Sequence, residues 1–239
     1  MKWIFLICTF VMLYILSQKR FEYYDEIPKG SEETAEIAPI LNQPFFYLGE
    51  GSQIVAFVSS DGSTVLKLFK ARHEKPYTFS RYIRNLGKKD WEQSHQKWKI
   101  KFGETSRRYK TAFMHLKEET GLVFLHFQKT PISLPVTLKH RTSTTLDLAQ
   151  YPFILQKRAI LAPEYIKAHP EGIQALKEFF SARTEKGFSD PRQSLSVNYG
   201  FIDGRPIQID PGKIDSFDGD ISSEIEKIHT HIDEWASHL

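Results

Sequence analysis

The stretch that most constrains this chain is residues 185–214, EKGFSDPRQSLSVNYGFIDGRPIQIDPGKI. Asp203-Gly204 suits the positive φ angles of a type I′ turn, so residues 197–202 and 205–210 are expected to pair as a tight hairpin. The second strand is expected to stop at Asp210-Pro211-Gly212, because proline cannot donate to a ladder and glycine permits a sharp exit. Around the mouth of this hairpin fall Asp190, Asn198 and Asp210. An Asn and an Asp there offer the hard oxygen ligands that a divalent metal takes. A two-residue turn pairs Asn198 with Ile209, which would point Asn198 and Asp210 to opposite faces of a regular hairpin. Both can reach one ion only from loops at the hairpin mouth.

The rest of the chain has to supply what such a metal would serve. Its 239 residues are 41% hydrophobic and 26% charged, which excludes disorder and suits one domain or two small lobes. The single cysteine, Cys8, excludes an intrachain disulfide framework and a multi-cysteine zinc site. Charge is unevenly spread. Residues 67–110 hold 14 Lys and Arg against 4 Asp and Glu, a charge of about +10, and the remainder sums to about −7.

Residues 3–16 (WIFLICTFVMLYIL) are apolar apart from Thr9, with Lys2 before and Lys19-Arg20 after. This run is short for a bilayer span, which takes roughly 20 residues, and has no small-residue cleavage site behind it. An uncleaved membrane anchor, a cleaved signal and an apolar helix packed on the domain all fit. We favour the anchor over residues 1–20, with the body on the cytoplasmic side that Lys19-Arg20 suggests. Residues 21–42 are polar and acidic and read as a linker, so the globular part is expected to begin near Gln43.

From there, residues 43–70 read as three strands, with Gly49-Glu50-Gly51-Ser52 between the first two and Lys67 alternating with apolar neighbours on the third. Two glycines let a backbone approach an anion and aim N–H groups at it, although an ordinary hairpin turn explains them equally well. An amphipathic helix over 104–119 shows Tyr109, Ala112, Phe113 and Leu116 on one face, and Thr120-Gly121 ends it. Strands are expected at 122–127, 135–139 and 151–159, and helices at 172–183 and 221–239. Taken singly, Lys67 suits a solvent-facing strand position, Asp210 a strand-end turn, and Asp190-Pro191 a turn start.

Taken in order, a Gly-containing hairpin, a lysine strand, a helix, strands, a helix, an Asp loop, an Asn and a D-x-G resemble the protein-kinase-like superfamily over residues 43–214. The resemblance implies an α+β, two-lobed fold. An N-terminal antiparallel sheet plus helix (43–160, with a basic insertion at 71–103) would precede a truncated helical C-terminal lobe (161–239). It implies ATP and Mg2+ as cofactors, with Gly49 and Gly51 over the phosphates and Lys67 as the fixed cation. Gln156 falls in the nucleotide-contacting hinge strand, Asn198 and Asp210 at the metal, and Asp190 at the catalytic base. There are departures. Ile54 stands where the third glycine would be, and Gly187-Phe188-Ser189-Asp190 replaces H-R-D. Asp190 lies eight residues before Asn198 rather than five, so either the loop carries three extra residues or Gln193 holds the register. The helix glutamate that would pair with Lys67 is open among Glu104, Glu118 and Glu119. With no activation loop or A-P-E after Gly212, peptide-substrate kinase activity is not expected.

Three functions follow as expectations: a kinase-like domain binding ATP and Mg2+ and transferring phosphate to an unknown acceptor, a catalytically inactive pseudokinase-like module tethered to a membrane, and anionic-lipid or nucleic-acid binding by residues 67–110. The last ranks lowest, since aromatic and basic residues are mixed there without a base-reading motif.

Overall fold

Period-two alternation builds the first lobe. In the computed structural model, residues 35–70, 89–191 and 193–239 are described, with only the backbone of 89–95. Strands β1 (Pro44–Glu50), β2 (Ile54–Ser59) and β3 (Thr64–Phe69) form a meander. With β4 (Leu122–His126), β5 (Pro135–Lys139), β6 (Ser143–Asp147) and β7 (Phe153–Lys157) they make a seven-stranded sheet in the order β4-β7-β3-β2-β1-β5-β6. Every pairing is antiparallel except the β1–β5 edge.

The faces of β3 explain what lies on each side. Leu66 packs with Phe57 and Leu155 on one face, and Phe69 packs with Ile154 on the other, beside Lys67. The first face is closed partly by Ile37 and Leu41, the second carried by the short helix α1 (Ala38–Leu41). The fold therefore takes in residues from Ala35, and the expected boundary at Gln43 comes too late. The apolar segment 3–16 lies outside the described residues. Among the described residues no helix is long and apolar enough to cross a membrane.

Helix α2 (Lys89–His115) covers the Lys67 face of the sheet. Phe102, Tyr109, Ala112 and Leu116 are buried against Leu125, Ile154 and Phe69, a stripe at three- and four-residue multiples. The helix begins well before residue 104, running back into the basic segment, whose residues 71–88 lie outside the described ones. A short helix α3 (Lys117–Thr120) follows, and Gly121 closes it in the left-handed region at φ 60°.

The chain crosses to the second lobe through β8 (Ile160–Leu161), then α4 (Ala162–Ala168), α5 (Gly172–Glu185), β9 (Phe188–Ser189) and the helical turn α6 (Leu195–Asn198). The hairpin β10 (Tyr199–Ile202) and β11 (Arg205–Gln208) comes next, then β12 (Asp215–Ser216) and α7 (Ile221–Ala236). Leu176 and Phe180 of α5 pack on Ile228 and Ile232 of α7, tied at the rim by Lys177–Asp233 at 2.6 Å. The result is an α+β arrangement of two lobes, one a sheet with its covering helix and the other small and mostly helical.

Candidate nucleotide and metal cleft

The hairpin forms as its turn residues dictate. Asp203 and Gly204 both have positive φ, 49° and 77°, and Ile202 pairs with Arg205. Pro206 is tolerated because β11 is an edge strand of the order β11-β10-β8. The register continues past the strands, where the Ile209 N–H donates to the Asn198 carbonyl at 2.7 Å. Asn198 is not itself in a strand but ends the helical turn α6, and Asp210 lies beyond β11. Neither metal candidate lies in a strand, so the alternation that would point them to opposite faces of the hairpin does not apply to them.

Gln208, Ile209 and Asp210 are where the lobes meet. Lys67, only 6% exposed, reaches across from β3 and donates from Nζ to the Ile209 carbonyl at 2.5 Å. Its other two N–H donors have no acceptor among the described residues. Burial pushes its pKa down to about 8, against the opposing pull of the Asp210 charge. Among the described residues none of Glu104, Glu118 and Glu119 pairs with Lys67. Glu104 and Glu118 are exposed, and Glu119 pairs with Lys186. Helix α2 contributes instead the buried Tyr109, whose phenol donates to Oδ1 of Asp210 at 3.0 Å. The Gly212 N–H donates to the same oxygen at 3.1 Å.

Gln156 reaches this hub from the sheet lobe. Its side-chain Nε2 donates to the carbonyls of Thr120 at 2.6 Å and Gln208 at 3.2 Å. The expected hinge contact to nucleotide therefore has its amide N–H groups committed to a brace between lobes. Asp190 is fully buried and accepts from Nε2 of Gln208 at 2.8 Å. The opposite end of the Gln208 amide accepts from Nη1 of Arg183 at 2.8 Å, and Arg183 also donates to the Tyr199 hydroxyl at 3.0 Å. Arg183 is fully buried with its guanidinium 4.6 Å from the Phe180 ring centre, and its Nε and Nη2 lack hydrogen-bond partners among the described residues. Pairing of β9 with β12, Ser189 opposite Asp215, places Asp190 near this network.

Gly49 and Gly51 edge the sheet lobe, Gly49 opposite Ala56 on β2 and the Gly51 N–H on the Ile54 carbonyl at 2.9 Å. Neither has positive φ, and a Cβ added to either would meet nothing within 4 Å. The fold does not require glycine at these two positions, and there is open space beside both.

No family profile and no curated protein matches the chain. Among solved structures, a crystal structure of WbdD aligns at 15% identity over 77% of this chain and 35% of that one, with a TM-score of 0.37. A co-crystal of WbdD with a kinase inhibitor aligns at 14% identity over 70% of this chain and 32% of that one, with a TM-score of 0.36. This chain spans about a third of the length of those structures.

The chemistry open to these residues follows from their donor set. Oδ1 of Asp210 is taken, whereas Oδ2 and the Asn198 carboxamide carry no hydrogen bond among the described residues. Among those residues no cluster of three His, Cys, Asp or Glu side chains could hold an ion alone. Mg2+ does not ask for one, since it takes one or two protein carboxylates and completes its shell with water and phosphate oxygens. The donors present fit that demand.

Three residues of the site escaped sequence reasoning. Arg183 had a signal, because it continues the stripe of Leu176 and Phe180 on the buried face of α5. Tyr109 was legible as core, but not the partner of its hydroxyl. Gln208 had none, since only tertiary packing brings Asp190, Arg183 and Gln156 to it.

Proposed function

We propose that this domain binds ATP with Mg2+ in the cleft between its lobes. Lys67 meets phosphate oxygens, Asp210 and Asn198 hold the metal, and the Gly49–Gly51 turn leaves room for the phosphates to approach. The observation that carries this reading is Lys67, a buried ammonium given one carbonyl for three donors and set beside Asp210. A cation so poorly satisfied costs stability unless an anion completes it. Bound Mg2+ would neutralise phosphate charge. What the chain itself supplies is a fixed cation, hard oxygens and exclusion of water from the Lys67 face.

The burial of Asp190 favours the pseudokinase-like form of this reading over phosphoryl transfer. A general base must lie within hydrogen-bond reach of the proton it takes. Asp190 is buried and bonded to Gln208 instead.

Thermal shift of the folded protein with ATP, ADP or GTP, each with Mg2+, tests nucleotide binding, and no shift with any of them removes it. Phosphate release decides between the two forms. Equal background rates in wild type and Asp190→Asn fit a binding module, and a rate that vanishes in Asp190→Asn and Asp210→Asn identifies an enzyme.

A further inference from the structure

We propose that Tyr109 is the positioning residue for Asp210, holding its Oδ1 from helix α2 so that Oδ2 is presented to the metal–nucleotide complex. This rests on the nucleotide-and-Mg2+ reading and adds to it the element that controls the metal ligand. The phenol donates to Oδ1 at 3.0 Å, and the Gly212 N–H reaches the same oxygen at 3.1 Å. Two donors on one oxygen fix the carboxylate plane and leave the other oxygen unbonded among the described residues. Space around the pair is tight. A Cβ on Gly212 would lie 3.0 Å from Oδ1 and 3.6 Å from Cε2 of Tyr109.

The next helix residue grips the far end of the same loop. Arg108 donates from Nη2 and Nε to Asp215 at 2.5 and 3.1 Å, and Arg107 adds a third bond to Asp215 at 3.0 Å. Helix α2 therefore holds residues 210–215 at both ends. The lysine it covers donates to a main-chain carbonyl. A displacement of α2 would reach Asp210 through the Tyr109 hydroxyl. Burial, and then the Asp210 charge, raise the Tyr109 pKa, which keeps the phenol protonated and donating.

The test is Tyr109→Phe, which removes one hydroxyl and keeps the ring. Thermal shift of the full chain with a non-hydrolysable ATP analogue is titrated with Mg2+ and, separately, with Ca2+. Mg2+ demands near-ideal octahedral geometry, whereas Ca2+ accepts a flexible shell, so a loosened carboxylate penalises Mg2+ more. In Tyr109→Phe the Mg2+ concentration for half the shift should rise about fivefold to tenfold, with Ca2+ changed less than about twofold. The shift produced by the analogue in EDTA should not change. A folded variant with wild-type Mg2+ and Ca2+ midpoints overturns the inference. So does an equal weakening of both metals with a lower metal-free Tm, or a variant that does not fold, because the hydroxyl would then be structural only. A wild type that answers to no nucleotide or metal overturns the cleft reading and this inference with it. A responsive wild type with an insensitive variant overturns the inference alone.

Discussion

Burying the Lys67 ammonium takes it out of water, and the Ile209 carbonyl returns only part of that hydration. Replacing it with an apolar side chain of similar length should therefore stabilise the ligand-free protein. We expect Lys67→Met to raise the unfolding free energy by about 1–2 kcal/mol at pH 7, read by urea denaturation, while abolishing the ATP-induced thermal shift. A destabilised Lys67→Met would show that the bond to Ile209 outweighs the burial cost. The pH dependence has a defined sign. Folding lowers the Lys67 pKa from 10.5 to about 8, so the unfolded chain binds the proton more tightly between those values. Wild-type stability relative to Lys67→Met should rise as pH goes from 8 toward 10, and the gap should be constant below 8. Nucleotide affinity should fall over the same interval as the cation is lost. Gly51 gives the complementary case. Its φ is ordinary and its Cβ direction open, so Gly51→Ala should leave stability unchanged or raise it by up to ~1 kcal/mol, with a weaker nucleotide shift. A wild-type shift in Gly51→Ala would return the turn to its ordinary hairpin reading. Lys67, Asn198 and Asp210 stood out in the sequence because each sits beside a local signal: an alternating strand, a two-residue turn or a proline. The pairing of Lys67 with Ile209 was not, because it spans 142 residues of chain.

Between elements, the tightest approach at any described glycine is where β8 pairs with β10. Gly200 stands opposite Leu161, and a Cβ there would lie 2.4 Å from the Ile160 carbonyl oxygen. That neighbour is backbone and cannot rotate away. Gly200→Ala should cost at least ~3 kcal/mol or prevent folding, measured as the urea midpoint, whereas a loss under ~1 kcal/mol would mean that β8 is free to move. The elements carrying strong periodicity or turn chemistry were legible in the sequence. Strands β2, β3, β5 and the hairpin fall within a residue or two of their expected places, and α5 and α7 on their apolar stripes. The elements missed share a physical character. Strand β6 (STTLD) is a partly exposed edge with no alternating apolar face, and α4 (APEYIKA) is only two turns long. The pairs β8, β9 and β12 are two residues each and exist only through their partners.

At the scale of the whole molecule, the two lobes are joined by buried polar bonds as well as by apolar contacts, with Ile214 and Phe188 packed into the cluster under α2. Lys67 to Ile209, Gln156 to Gln208 and Tyr109 to Asp210 all land on three consecutive residues. Lobes so joined should unfold together. Far-UV circular dichroism and the fluorescence of Trp235, in a variant keeping only that tryptophan, should give coincident urea transitions. Gln156→Met leaves the Thr120 and Gln208 carbonyls unpaired, and should move both transitions down together, by about 2 kcal/mol. Separate transitions in wild type would mean that the lobes are independent units. The sequence anticipated two lobes from the order of its elements, but charge and periodicity carry no information on which carbonyl receives a lysine from another strand.

The crossing itself has a further implication. Among the described residues the backbone passes from sheet to helical lobe once, at Arg158-Ala159 between β7 and β8. A chain that crosses once can be divided there, giving two polypeptides each with its own apolar nucleus. Those halves make a natural split reporter. Co-expressed as 35–158 and 159–239, they should reassociate through the Gln208–Asp210 contacts, and Mg2+ with nucleotide should tighten their reunion.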